Sequence, residues 1–206
     1  MPSAPERLCS AAAAMVTLLA LHVPCSRDGK ARLHDPAALE AALLPLLRLT
    51  LWKSHRAADL QGFHFGEKRV LVSQVGPRRG QVREVGDYAL HVQCAWRIRG
   101  PNGIVVASRD RYYRAGPDPV PAEDDWDWSK PGANRCDVRI QDWLATRAYT
   151  VERIGADTMG GFVLSLADNF ALDVFPDDSL GSEHWRLLRP GDASAHVVVT
   201  GSGIET

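Results

Sequence analysis

Along residues 88–99 apolar and polar side chains alternate without a break. Tyr88, Leu90, Val92, Cys94, Trp96 and Ile98 fall on one side, and Ala89, His91, Gln93, Ala95, Arg97 and Arg99 on the other. A period of two is the signature of a strand with one buried face. At roughly 3.3 Å per residue this run would extend about 40 Å, so it must twist or bend to pack. Its polar face carries imidazole and guanidinium groups.

The same period predicts further strands at Arg48–Trp52, Asp59–Phe65, Arg69–Val75 and Ile104–Asp110, with the long strand itself starting near Val85. Gly100-Pro-Asn-Gly103 supplies a turn, and an even loop pairs Ile98 with Val105 and Trp96 with Ala107 on the core face. Phe162, Leu164 and Leu166 form one face of a second hairpin, answered by Phe170, Leu172 and Val174. A two-residue turn would set Leu164 against Asp173. A three-residue loop, Ala167-Asp168-Asn169, instead pairs Leu166 with Phe170, Leu164 with Leu172 and Phe162 with Val174, with Asn169 left-handed. Glu183–Leu188 and His196–Thr200 read as closing strands.

Helical patterns lie mostly ahead of the strands. Residues from about Pro5 to His22 form one candidate helix. Asp35 followed by Pro36 is a start signal for another, running to about Leu47 despite Pro45. A later helix is predicted near 137–148, with Val138, Ile140, Trp143 and Leu144 available for packing. These elements predict an α+β fold: N-terminal helices, then a mostly antiparallel curved sheet or open barrel with one inserted helix. The expected division is a helical segment at 1–47 packed on a β-rich region at 48–206, together one compact domain. The apolar run Ala11–Leu21 is too short to span a bilayer and lacks a signal-type cleavage site, so it reads as a buried helix.

Composition narrows the partners. The net charge of −1 argues against a nucleic-acid partner held by bulk charge. Charge is nonetheless segregated: residues 67–114 hold ten Lys/Arg against four Asp/Glu, whereas 116–128 hold five acids and no base. The simplest account is a basic sheet face near an acidic loop of the same molecule. Cys9, Cys25, Cys94 and Cys136 form no C-x-x-C pair, which points to a reducing, cytoplasmic setting without zinc or thioredoxin chemistry.

Two constellations carry candidate chemistry. The first is the Pro- and Asp-rich excursion containing Asp124, Asp125, Trp126, Asp127 and Trp128. It lacks the spacing of a calcium loop, so no metal is expected. Its tryptophans either cover a sheet face or anchor a partner, since Trp and Arg are favoured in binding hot spots. The second is a His/Arg face, where His91 and Arg97 with Asp110 could act on a phosphate-containing substrate. A mixed outer face covered by the N-terminal helices is the plainer account of it. No Gly-rich phosphate loop and no nucleophile elbow are present, and no cofactor is expected.

Ala95-Trp-Arg-Ile98, the Asp-Trp loop, Val174-Phe-Pro-Asp177 and Glu183-His-Trp-Arg186, in this order, resemble a family of uncharacterised bacterial single-domain proteins over about residues 57–204. These are similar in style to the immunity proteins of toxin systems. The resemblance implies a non-enzymatic module that binds another protein and names no catalytic residue. The expected contact surface is Trp126, Trp128 and Asp124, Asp125 and Asp127, with a rim of Arg97, Arg99 and Arg186. A hydrolase using His91, Arg97 and Asp110 is the alternative.

Overall fold

A computed structural model of the protein describes residues 34–73, 79–116, 126–192 and 196–205. The chain divides into two units, 1–31 and 32–206. The predicted helix at 5–22 lies outside the described residues, as do Asp124 and Asp125.

Helix α1 spans Pro36–Leu43, capped by the Asp35 side chain, which accepts from the Ala37 amide at 3.0 Å. Pro45 has no amide hydrogen to continue the ladder, so the predicted last turn tightens into a 3₁₀ turn at Leu44–Leu46. Leu39, Leu43 and Leu46 are fully buried.

The strands are β1 (Thr50–Ala57), β2 (Leu60–Phe65), β3 (Arg69–Val72), β4 (Val82–Val85), β5 (Tyr88–Val92), β6 (Ala95–Gly100) and β7 (Gly103–Ala107). After helix α2 (Arg135–Thr146) come β8 (Tyr149–Ala156), β9 (Phe162–Leu166), β10 (Phe170–Phe175), β11 (Glu183–Leu188), β12 (His196–Thr200) and β13 (Gly203–Glu205). Eleven of them form one sheet in the order β13-β12-β11-β5-β2-β1-β8-β9-β10-β6-β7, while β3 and β4 pair apart. Each of these pairings is antiparallel.

The sheet has two free ends, β13 and β7, and does not close into a barrel. It does fold over. Strands β2 and β6 are five places apart, about 24 Å in a flat sheet, yet the Phe63 and Trp96 rings meet edge-on at 5.3 Å. Phe162 on β9 and Trp185 on β11, also five places apart, meet at 4.9 Å. The two layers thus enclose one core.

The long strand predicted at 85–99 is three strands, β4, β5 and β6. Its alternation survives because the chain turns a corner at Gln93 and Cys94, both of whose amides donate to the His184 carbonyl, at 2.8 and 3.2 Å. Leu90, Val92, Cys94, Trp96 and Ile98 stay buried through the corner, while the pairing partners change from β2 and β11 to β10 and β7.

The hairpin of β9 and β10 has the predicted register, Leu166 with Phe170, Leu164 with Leu172 and Phe162 with Val174, and Asn169 has φ 61°. The hairpin of β6 and β7 does not: Ile98 pairs with Val106 and Arg97 with Ala107. Val105 is the extra residue of a bulge, which moves the buried position from Val105 to Val106. Helix α2 begins two residues earlier than predicted because Asn134 caps it, accepting from the Asp137 amide at 2.8 Å. Ile140 and Trp143 are buried as expected, whereas Val138 is exposed.

Candidate functional site

The histidines converge through the strand order rather than through any sequence spacing. His55 on β1 lies opposite Gly62 on β2, Gly62 opposite His91 on β5, and His91 opposite Arg186 on β11. Two residues along, Lys53 lies opposite His64, His64 opposite Ala89, Ala89 opposite Leu188, and Leu188 opposite His196 on β12. Directly paired residues project from the same face, and this face is the one turned away from Phe63, Leu90 and Leu187. Five strands thereby bring His55, His64, His91 and His196 to the wall of one cavity of about 450 Å³.

Gly62 makes the convergence possible. A Cβ there would stand 2.1 Å from Cε1 of His55, so the missing side chain is the space the His55 ring occupies. Lying across β2, that ring reaches both neighbours, with centroids 5.0 Å from His64 and 5.8 Å from His91. Nε2 of His64 is 3.1 Å from Nδ1 of His55.

The tautomers follow from the backbone. The Gly86 amide donates to Nδ1 of His64 at 3.2 Å. An amide can only donate, so Nδ1 is an acceptor and the proton of neutral His64 sits on Nε2. That N–H donates to Nδ1 of His55, which leaves the His55 proton on Nε2. Gly86 is itself constrained, since a Cβ there would lie 2.3 Å from the Phe65 carbonyl oxygen.

Burial holds His64 neutral. The His64 pKa falls to about 3, chiefly through desolvation and then through the charges of His55, Lys53, His91 and Arg83. His91 is also lowered, by burial first and then by Arg186, with Glu183 opposing. Arg186 is ion-paired to Glu183, and this holds the Glu183 carboxyl below its usual range. The rest of the cavity is mixed: Lys53 and Arg83 supply cations, Glu84 and Asp192 carboxylates, and Val85, Ala89, Leu188 and Pro190 apolar surface. Among the described residues that line it, none is Ser, Thr or Cys. Among the described residues no group of three His, Cys, Asp or Glu side chains is arranged to hold a metal ion.

Of the residues singled out from sequence, His91 and its neighbour Arg186 belong to this face. Arg97 and Asp110 do not line the cavity. The Nε of Arg97 donates to Asp173 at 2.8 Å, and Arg99 donates to the same carboxylate. Asp110 accepts from the Ala107 amide at 2.9 Å, capping a 3₁₀ turn. The His91–Arg97–Asp110 grouping is thus divided among three separate sets of contacts.

The Asp-Trp segment is anchored rather than free-standing at its described end. The Arg56 guanidinium lies over the Trp128 ring at 5.5 Å and donates to the Trp128 carbonyl at 3.1 Å, while Tyr112 meets that ring edge-on at 5.7 Å. Trp126 is half-buried. Asp127 accepts from the Ser129 hydroxyl and amide, which lowers its pKa.

His55, His64 and His196 were not singled out from sequence. The one local clue was a glycine inside a strand between two histidines.

No family model, no curated protein and no solved structure matches the chain. The tryptophans of the Ala95–Ile98 and Glu183–Arg186 motifs are core residues, Trp96 against Phe63 and Trp185 with its Nε1 donating to the Gly160 carbonyl at 2.8 Å. Packing accounts for both.

Among the described residues no helix is long and apolar enough to cross a membrane.

Proposed function

We propose that the protein is a binding module that takes a small organic anion in the histidine cavity. The observation that carries this reading is the meeting of four imidazoles, Lys53 and Arg83 in one concave site, where Val85, Ala89, Leu188 and Pro190 give an apolar wall beside the carboxylates of Glu84 and Asp192. Ligand sites combine a few convergent polar groups with an apolar lining. A carboxylate or phosphate would accept from the cations and the ring N–H groups, while Val85, Ala89, Leu188 and Pro190 take an apolar body. Binding rather than turnover fits a lining that, among the described residues, offers no hydroxyl or thiol nucleophile. Among the described residues the two thiols, Cys94 and Cys136, are no better suited, since burial pushes both up to about 12.

An anion beside His91 opposes the positive field of Arg186 and Arg83 and lifts the imidazole pKa. Binding therefore takes up protons and tightens as pH falls toward the imidazole range. Calorimetric titration with benzoate, phenylphosphate and acetate tests this. Benzoate and phenylphosphate bind more tightly at pH 6 than at pH 8, and acetate binds more weakly than either. Gly62→Ala, which displaces His55, weakens benzoate by about tenfold, or about 1.4 kcal/mol. Absence of binding at millimolar benzoate, or affinity indifferent to Gly62→Ala, would overturn the proposal.

A further inference from the structure

On the layer formed by β8, β9, β10, β6 and β7, the outward face carries a buried carboxylate gripped by two arginines. Asp173 lies directly opposite Arg97 in the ladder, and its side chain is 3% exposed. Arg97 Nε donates to it at 2.8 Å and Arg99 Nε at 3.1 Å. Both bonds use Nε, and the two arginine side chains are 41% and 46% exposed. Two like charges held by one carboxylate leave the group with a net charge of +1. An arginine fork pre-organised in this way matches a second carboxylate.

The surroundings of the pair are apolar and open. The Arg97 guanidinium lies 4.9 Å over the Phe175 ring, which is 38% exposed. Ile104, opposite Arg99 on β7, is 59% exposed. The order across the face is Phe175, Arg97, Arg99, Ile104. Arginine and aromatic side chains are enriched where proteins meet.

We propose that this face is a contact surface for a partner protein that presents an Asp or Glu side chain flanked by apolar residues. The chain's net charge of −1 gives a polyanion no long-range attraction. One net positive charge between two apolar side chains fits a single carboxylate better than a phosphate backbone. The surface is independent of the histidine cavity, which lies on strands of the other layer.

The test is nuclear magnetic resonance titration of the full chain with a capped Gly-Leu-Glu-Leu-Gly peptide, its Gln counterpart, and a ten-residue oligothymidylate. The Glu peptide is expected to shift the Arg97 and Arg99 Nε–H signals and the Phe175 and Ile104 amides. The Gln peptide binds about tenfold more weakly. Arg97→Gln with Arg99→Gln strands a buried carboxylate, so the loss is also read in Ile104→Ser, an exposed change that leaves the ion pairs intact. Equal shifts from the Glu and Gln peptides, shifts confined to other surfaces, or oligothymidylate binding here in place of the Glu peptide would each overturn the proposal.

Discussion

His64 donates its Nε2–H to Nδ1 of His55 across 3.1 Å, and the two rings meet only because Gly62 leaves room between them. Gly62→Ala therefore forces the His55 ring to move. Overpacking of this kind costs about 1–3 kcal/mol. In a His55→Ala background the obstructed ring is gone, and the same glycine substitution costs less. A double-mutant cycle by urea denaturation reads the difference, and equal costs in both backgrounds would remove the steric account.

The neutral histidines set a pH window. His64 binds its proton near 6.5 in an unfolded chain and near 3 when folded. Acid therefore favours the unfolded chain: stability is full above pH 6.5 and falls as pH drops toward 3. The slope reaches about 1.4 kcal/mol per pH unit for one such group. His91 and His34, both lowered chiefly by burial, add in the same direction. His64→Gln flattens the dependence. A variant as acid-sensitive as the wild type between pH 6 and 4 would contradict the assignment.

A second, separate acid transition belongs to Asp137. Arg56 grips it with two bonds of 2.8 Å, and the side chains are 5% and 13% exposed. Burial alone would raise the Asp137 pKa, but Arg56, the Gly132 amide and Asn134 hold it below 3.8. Its stabilisation is present above that value and is lost only as pH falls through the lower folded value. Asp137→Ala leaves Arg56 buried without its partner and costs about 3–5 kcal/mol. Replacing both residues, Arg56→Met with Asp137→Leu, costs less than the single change. Trp128 fluorescence shifts in each case, because Arg56 stacks on that ring.

Thiol chemistry separates folded from unfolded protein. In a variant with Cys9→Ser and Cys25→Ser, the remaining Cys94 and Cys136 are 5% and 1% exposed, with pKa values near 12. Alkylation followed by mass spectrometry is expected to label neither until urea unfolds the chain. Labelling of either in the native protein at a rate typical of a free thiol would contradict their burial.

Local order was legible in the sequence where a local rule decided it. The Asp35–Pro36 start of α1 and the Leu166–Phe170 hairpin register followed from capping and from matching apolar faces. The corner at Gln93–Cys94 was hidden because alternation continues through it unchanged. The bulge at Val105 was hidden because Val105 and Val106 serve the core equally well on paper. The histidine site depends on which strands become neighbours, β1, β2, β5, β11 and β12, which are spread over some 150 residues of chain. No spacing within one segment encodes that order. The sequence also paired Arg97 with His91 by their shared strand face, but the same corner sends Arg97 to Asp173.

The most direct test of the histidine cavity is a long-range proton–nitrogen spectrum of the imidazole rings, recorded with and without benzoate. The account predicts Nε2–H tautomers for His64 and His55, with His64 still neutral near pH 4. It predicts benzoate-induced shifts at His55, His91 and His196 while His34 and His184 stay unmoved. A charged His64 at pH 6, or benzoate that perturbs none of the three cavity rings, would contradict it.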